Sequence, residues 1–181
     1  MGQSVLELPA VQRYREAMLH YRAVMRAAPT QPLGAFLPAI DAALAGLYKA
    51  GSELPELEPD TSDVPDRSPT NEDHGAIQGA IAALLGHYDR YHDIYNPSDP
   101  DDRDPVEYLV SLDLLEILED QDEAHGLLDP ARQLSPNDIV WQWRFGFTSH
   151  WGSHAAGALK VIHNLLYTEF AAALEDTQPD A

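Results

Sequence analysis

Apolar residues recur at every third or fourth position along most of the chain, which is the spacing of one face of an α-helix. Five such runs predict helices at residues 8–27, 33–51, 71–95, 105–125 and 136–175. No internal repeat of fixed period accompanies them, so a solenoid is not expected. The pattern therefore predicts an all-α fold, a helical bundle of about five principal helices forming a single domain over residues 1–181.

The fifth predicted helix is the longest, and it holds all three tryptophans of the chain. Ser135 and Pro136 are a typical helix start, with a hydroxyl at the N-cap and a proline at the first position. The helix is apolar nearly all round, which predicts that it crosses the middle of the domain. At 1.5 Å per residue it would be about 60 Å long, so a kink is expected at Gly146, Gly152 or Gly157. Five of its side chains are expected in the core, namely those of Trp143, Phe147, Trp151, Ala158 and Leu165.

One string within this helix carries a family resemblance. Residues 141–154 read W-x-W-R-F-x-F-x-x-H-W-G-x-H, which resembles the signature of a bacterial family known as a domain of unknown function. Members of that family are small and helical, with the string on a late helix that follows a Tyr/Phe-x-Pro turn and an acidic helix. Tyr95-Asn96-Pro97 and the acidic run 113–123 look like these two features. The resemblance implies the helical fold and leaves the function open.

Residues 52–69 interrupt the helical pattern with four prolines and many acidic side chains. They contain almost no apolar residue that could anchor them to a core. The segment is therefore predicted to be a mobile, acidic, proline-rich loop inside the domain.

Composition excludes several classes of function. The chain contains no cysteine, so neither a disulfide nor a thiolate metal site can form. Its net charge of −19 would repel a phosphate backbone, so nucleic-acid binding is not expected. No signal sequence and no membrane span are predicted, which makes the cytoplasm the expected location. Arg15, Arg22 and Arg26 form a stripe on the first helix that is expected to pair with the acidic fourth helix; the alternative is that the stripe faces an anionic partner.

Two histidines on the fifth helix raise the hypothesis of a metal site. His150 and His154 are four residues apart, so both imidazoles would project from one helical face. A carboxylate of Asp113, Glu116 or Asp120 could complete the site, as could His87 or His92 of the third helix. The alternative is a pair of histidines that only pack or form hydrogen bonds, since no glutamate follows the first histidine as it does in H-E-x-x-H.

Trp143, Arg144 and Trp151 raise a second hypothesis, a pocket for an anionic or aromatic small molecule. Arginine next to aromatic faces suits carboxylates, phosphates and planar rings. The alternative is an Arg144 buried between Trp143 and Phe145, and a buried guanidinium must be paired. We predict an ion pair between Arg144 and at least one of Asp113, Glu116 and Asp120.

These patterns favour a non-enzymatic binding or accessory protein that acts through a protein partner and needs no cofactor. The alternative is a metal-dependent hydrolase or small-ligand sensor. It would use His150, His154 and carboxylates of the 105–125 helix to hold a divalent metal ion. The oligomeric state stays open.

Overall fold

The computed structural model describes residues 4–61, 73–96 and 98–168. Six α-helices lie in these ranges: α1 Pro9–Ala27, α2 Leu33–Ser52, α3 His74–Leu85, α4 Val110–Gly126, α5 Pro136–Gly146 and α6 Gly152–Tyr167. Phe147–Trp151 join α5 to α6 as one turn of π-helix, so a continuous helix runs from Pro136 to Tyr167. With α5 and α6 counted together, five principal helices are present, which confirms the predicted all-α class. Residues 62–69 of the loop predicted at 52–69 lie outside the described residues.

The helix formed by α5, the π segment (Phe147–Trp151) and α6 packs against α2 on one side and α4 on the other. Ser135 caps its start as predicted: its side chain accepts a hydrogen bond from the backbone N–H of Asp138, in a full capping box. Four of the five predicted core residues are buried, namely Trp143, Trp151, Ala158 and Leu165. Phe147 is only partly buried. The π segment lies between Gly146 and Gly152, two of the three glycines at which a kink is expected, and the kink itself stays a prediction.

A two-stranded antiparallel hairpin replaces two stretches of predicted helix. β1 (Arg90–Ile94) pairs with β2 (Pro105–Leu109), so that Arg90 faces Leu109 and Ile94 faces Pro105. The third helix was predicted to reach residue 95, but α3 stops at Leu85 because Gly86 adopts a positive φ of 56°. The fourth helix was predicted from residue 105, but α4 begins only at Val110.

Helix α2 is long and apolar enough to cross a membrane on length and composition alone, with a mean hydropathy of 1.2 over its most apolar window. A core helix passes the same test. Here Phe36, Ile40 and Leu44 of α2 are fully buried among the other helices. The cytoplasmic location stays a prediction.

Candidate metal centre

Helix α4 supplies three carboxylates to the face that meets α6. Asp113, Glu116 and Asp120 are three and four residues apart, so their side chains line one stripe of α4. Asp113 is 3 % exposed, and such a carboxylate needs partners. The π segment and the first turn of α6 place His150 and His154 opposite the stripe.

His150 lies between two of these carboxylates. Its Nδ1 is 2.8 Å from Oδ2 of Asp120 and its Nε2 is 3.7 Å from Oε2 of Glu116. When Asp120 accepts the proton of Nδ1, the lone pair of the neutral ring is on Nε2, on the side of Glu116.

His154 repeats the arrangement with a different carboxylate. Its Nδ1 is 2.8 Å from Oδ1 of Asp113, and the hydroxyl of Tyr91 donates to the other oxygen, Oδ2, at 2.6 Å. The hydrogen bond to Asp113 raises the pKa of His154, although burial acts in the opposite direction. Tyr91 reaches Asp113 because residue 157 is glycine: a Cβ there would stand 2.6 Å from the Tyr91 hydroxyl oxygen.

Glu116, His150 and His154 each present one ligand atom, and these atoms all lie within 4.8 Å of one another. Metal–ligand bonds from imidazole and carboxylate are about 2.0–2.2 Å long, so small side-chain shifts would bring all three onto a single ion. The side chains of His150, Glu116 and His154 are 40 %, 36 % and 27 % exposed, so the cluster opens to solvent on one side.

The predicted environment of Arg144 is wrong. At 3.6 residues per turn, a side chain six residues before His150 lies about 120° away around the helix axis, so it does not face the same neighbour. Arg144 therefore points away from α4: it donates to the carbonyl of Leu54 at 2.7 Å, and Glu56 lies 4.0 Å from it. The carboxylates predicted to hold Arg144 instead face His150 and His154. Phe145, predicted to be buried, is 51 % exposed.

The two other residues of the predicted ligand pocket, Trp143 and Trp151, do line a cavity. It has a volume of about 220 Å³ and lies between α1, α4 and α5, with Tyr14 in the same wall. The ring of Tyr14 is 5.1 Å from that of Trp143 and 6.4 Å from that of Trp151. His150 and Asp120 also line this cavity, so it adjoins the candidate metal centre.

Sequence reasoning named His150, His154, Asp113 and Glu116 as candidate ligands, and the structure brings all four together. It missed Tyr91, which was assigned to a helix, and no local pattern links a strand tyrosine to a carboxylate on α4. His87 and His92, named as further candidates, lie outside the three-residue cluster.

The model of the family described as domain of unknown function DUF5063 matches residues 9–168. Among solved structures, the chain is similar to the crystal structure of protein BF1032 from Bacteroides fragilis, with a TM-score of 0.74 and 19 % sequence identity. That likeness covers 90 % of this chain and 96 % of that chain, and it shows a shared fold. No curated protein matches the chain.

Proposed function

The chain belongs to the DUF5063 family, a domain of unknown function, and we propose that it binds one divalent transition-metal ion through Glu116, His150 and His154. The observation that carries the proposal is the pairing of each histidine. Nδ1 of His150 and Nδ1 of His154 each meet their own aspartate at 2.8 Å, so the second nitrogen of each ring is left for an ion. Metal-binding histidines usually have such a carboxylate partner, which fixes the tautomer and increases ligand basicity.

The ligand set favours a metal with open positions. Structural zinc sites have four protein ligands in a closed shell, whereas catalytic sites use three and leave room for water or substrate. Two imidazoles and one carboxylate are also the ligands of many Fe²⁺ sites. A half-exposed centre of this composition supports hydrolysis by metal-bound water, or reversible binding of a small ligand.

Metal binding is tested by titrating the metal-free protein with Zn²⁺, Mn²⁺ and, without oxygen, Fe²⁺. We expect one ion per chain, and at least a 10-fold loss of affinity in Glu116→Gln, His150→Ala and His154→Ala. His163→Ala, an exposed histidine on α6, is the matched control and should bind as the wild type does. Equal weakening by the control, or no saturable binding to the wild type, would overturn the proposal.

Asp113→Asn tests the orientation of His154 separately from its presence. The amide cannot accept from His154 and Tyr91 as the carboxylate does, so we expect a 10- to 100-fold weaker metal affinity. The thermal unfolding of the same variant is measured alongside. A folded Asp113→Asn protein with unchanged affinity would show that this carboxylate has no part in metal binding.

The function favoured by the sequence pattern, a non-enzymatic protein that acts through a protein partner, stays a prediction. So does the expectation that it binds neither nucleic acid nor membrane.

A further inference from the structure

We propose that the cavity beside the metal centre binds a small uncharged molecule with an aromatic or apolar body and a hydrogen-bond acceptor. The acceptor receives the indole N–H of Trp151, and the body lies among the apolar walls. The proposal stands on the cavity itself, so it does not depend on whether the neighbouring cluster binds a metal.

The walls favour an apolar body. Trp143 and Trp151 are each 1 % exposed and present ring surface to the cavity, while Ala124 and Leu127 of the α4 end contribute aliphatic surface. Phe145, half exposed, stands at the opening. Contacts of this kind are typical of pockets that enclose small organic ligands, and a volume of about 220 Å³ suits a molecule built on one aromatic ring.

The two tryptophans differ in what their N–H groups do. Nε1 of Trp143 donates to the carbonyl of Ala124 at 2.8 Å. The N–H of Trp151, in a side chain equally buried, meets no hydrogen-bond acceptor among the described residues. Nε1 of Trp151 is not fully enclosed by protein atoms, so an acceptor brought by a ligand would take the place of solvent at this donor.

Gly146 keeps the space beside this N–H open. A Cβ at residue 146 would stand 3.4 Å from Cδ1 and 3.5 Å from Nε1 of Trp151, inside the cavity wall. Any side chain at this position would therefore occupy the place next to the donor. Gly146 and Trp151 together define where the acceptor of the ligand lies.

The charges around the cavity exclude an anion and do not select a cation. Asp120 and Glu123 lie in its wall, and the chain as a whole carries −19, so a carboxylate or phosphate would be repelled. Both carboxylates already face cationic or protonatable partners, His150 at 2.8 Å and Arg132 at 2.7 Å. An organic cation would have to compete with these partners, whereas a neutral ligand would not.

The test is a titration of the ¹⁵N-labelled, metal-free protein with acetanilide, which joins a phenyl ring to an amide carbonyl, and with benzoate. The indole N–H signal of Trp151 is identified by its loss in Trp151→Phe. We expect acetanilide to shift this signal saturably, and benzoate to bind at least 10-fold more weakly. The variant Glu116→Gln, impaired in the proposed metal site, should bind acetanilide as the wild type does.

Gly146→Ala should weaken acetanilide binding at least 10-fold, while Gly79→Ala, whose added Cβ meets nothing within 4 Å, should leave it unchanged. Trp151→Phe keeps an aromatic six-membered ring but removes the five-membered ring that bears the donor, so it too should weaken binding. If acetanilide causes no saturable shift, if benzoate binds as tightly, or if Gly146→Ala and Trp151→Phe bind as the wild type does, the proposal is wrong.

Discussion

Tyr14 and Gln121 join α1 to α4 through a buried hydrogen bond, in which the tyrosine hydroxyl donates to Oε1 of the amide at 2.8 Å. Both side chains are fully buried. Nε2 of Gln121 has no hydrogen-bond partner within the described part of the chain. The amide of Gln121 therefore has a single hydrogen-bond partner, the hydroxyl of Tyr14. Burial raises the pKa of the Tyr14 hydroxyl far above its ordinary value, so this group stays protonated and remains the donor.

Tyr14→Phe should lower the free energy of unfolding by about 1–3 kcal/mol, because it leaves a buried amide without partners. The double variant Tyr14→Phe/Gln121→Met should lose less than the sum of the two single changes, since no polar atom is then left unpaired. Urea denaturation measures all three. Tyr48→Phe, at a side chain that is 37 % exposed, is the control and should change stability by less than about 0.5 kcal/mol. Strict additivity of the two changes would contradict the argument.

At the same scale, the sequence identified the residues of the candidate metal centre, but it did not identify the hydrogen-bond partner of Arg144. The spacing of His150 and His154 places them on one face whatever surrounds them, and the acidic stripe of α4 provides the nearest carboxylates. The pairing of Arg144 could not be obtained in this way. Its partner is the backbone carbonyl of Leu54, and a contact between residues 90 positions apart leaves no sign in the helical period.

At the scale of elements, the two errors of the sequence analysis have one cause. Tyr88, Tyr91 and Tyr95 are spaced as on a helix, but the chain turns at Gly86 and the tyrosine of β1 stacks on Tyr108 of β2 with ring centroids 5.4 Å apart. Asp104-Pro105 has the composition of a helix start, yet Pro105 begins strand β2, which pairs with β1. A cross-strand contact of this kind outweighs local propensity, and it cannot be read from either segment alone.

The packing of α2 against the π segment depends on a small residue at position 51. A Cβ on Gly51 would lie 2.7 Å from Cη2 of Trp151 and 2.8 Å from Cδ2 of Phe147, both ring atoms in packed side chains. The backbone of α2 at Gly51 therefore packs directly against the aromatic rings of the π segment.

Gly51→Ala should therefore destabilise the protein by about 1–3 kcal/mol through overpacking, although alanine is the better helix former. Gly46→Ala on the exposed side of the same helix meets nothing within 4 Å and should stabilise it, by up to about 1 kcal/mol. Chemical denaturation of both variants gives the comparison. A stabilised Gly51→Ala protein would show that α2 and the π segment can move apart freely.

For the molecule as a whole, contacts between cationic side chains and the abundant carboxylates join separate helices. Asp122 of α4 accepts hydrogen bonds from Arg22 and Arg26 of α1, at 2.6 Å and 2.6–2.8 Å, and lies 2.8 Å from Nε2 of His74 on α3. Two of the three arginines of the α1 stripe thus pair with the acidic helix, as predicted. One carboxylate links three helices.

The pKa of Asp122 reflects this position. Burial acts to raise it, but the hydrogen bonds from Arg26, His74 and Arg22 outweigh burial and lower the pKa below its ordinary value. A carboxyl with a lowered folded-state pKa contributes stability above its unfolded pKa, which is about 3.9 for aspartate. It loses that contribution as the pH falls through the lower, folded-state pKa.

Asp122→Asn should accordingly reduce the free energy of unfolding by about 1–3 kcal/mol at pH 7, between the values for exposed and fully buried ion pairs. The difference between variant and wild type should shrink as the pH falls through the lowered folded-state pKa of Asp122, because the wild-type carboxyl then becomes protonated as well. Acid also relieves repulsion among the other carboxylates of a chain with net charge −19, so only this difference, and not the wild-type curve, isolates Asp122. Asp104→Asn, at an exposed position, provides the control, with no difference expected at any pH. Urea titrations at pH 7 and at successively lower pH measure the difference, and a loss that does not shrink at any acidic pH would mean that Asp122 contributes through its shape rather than its charge.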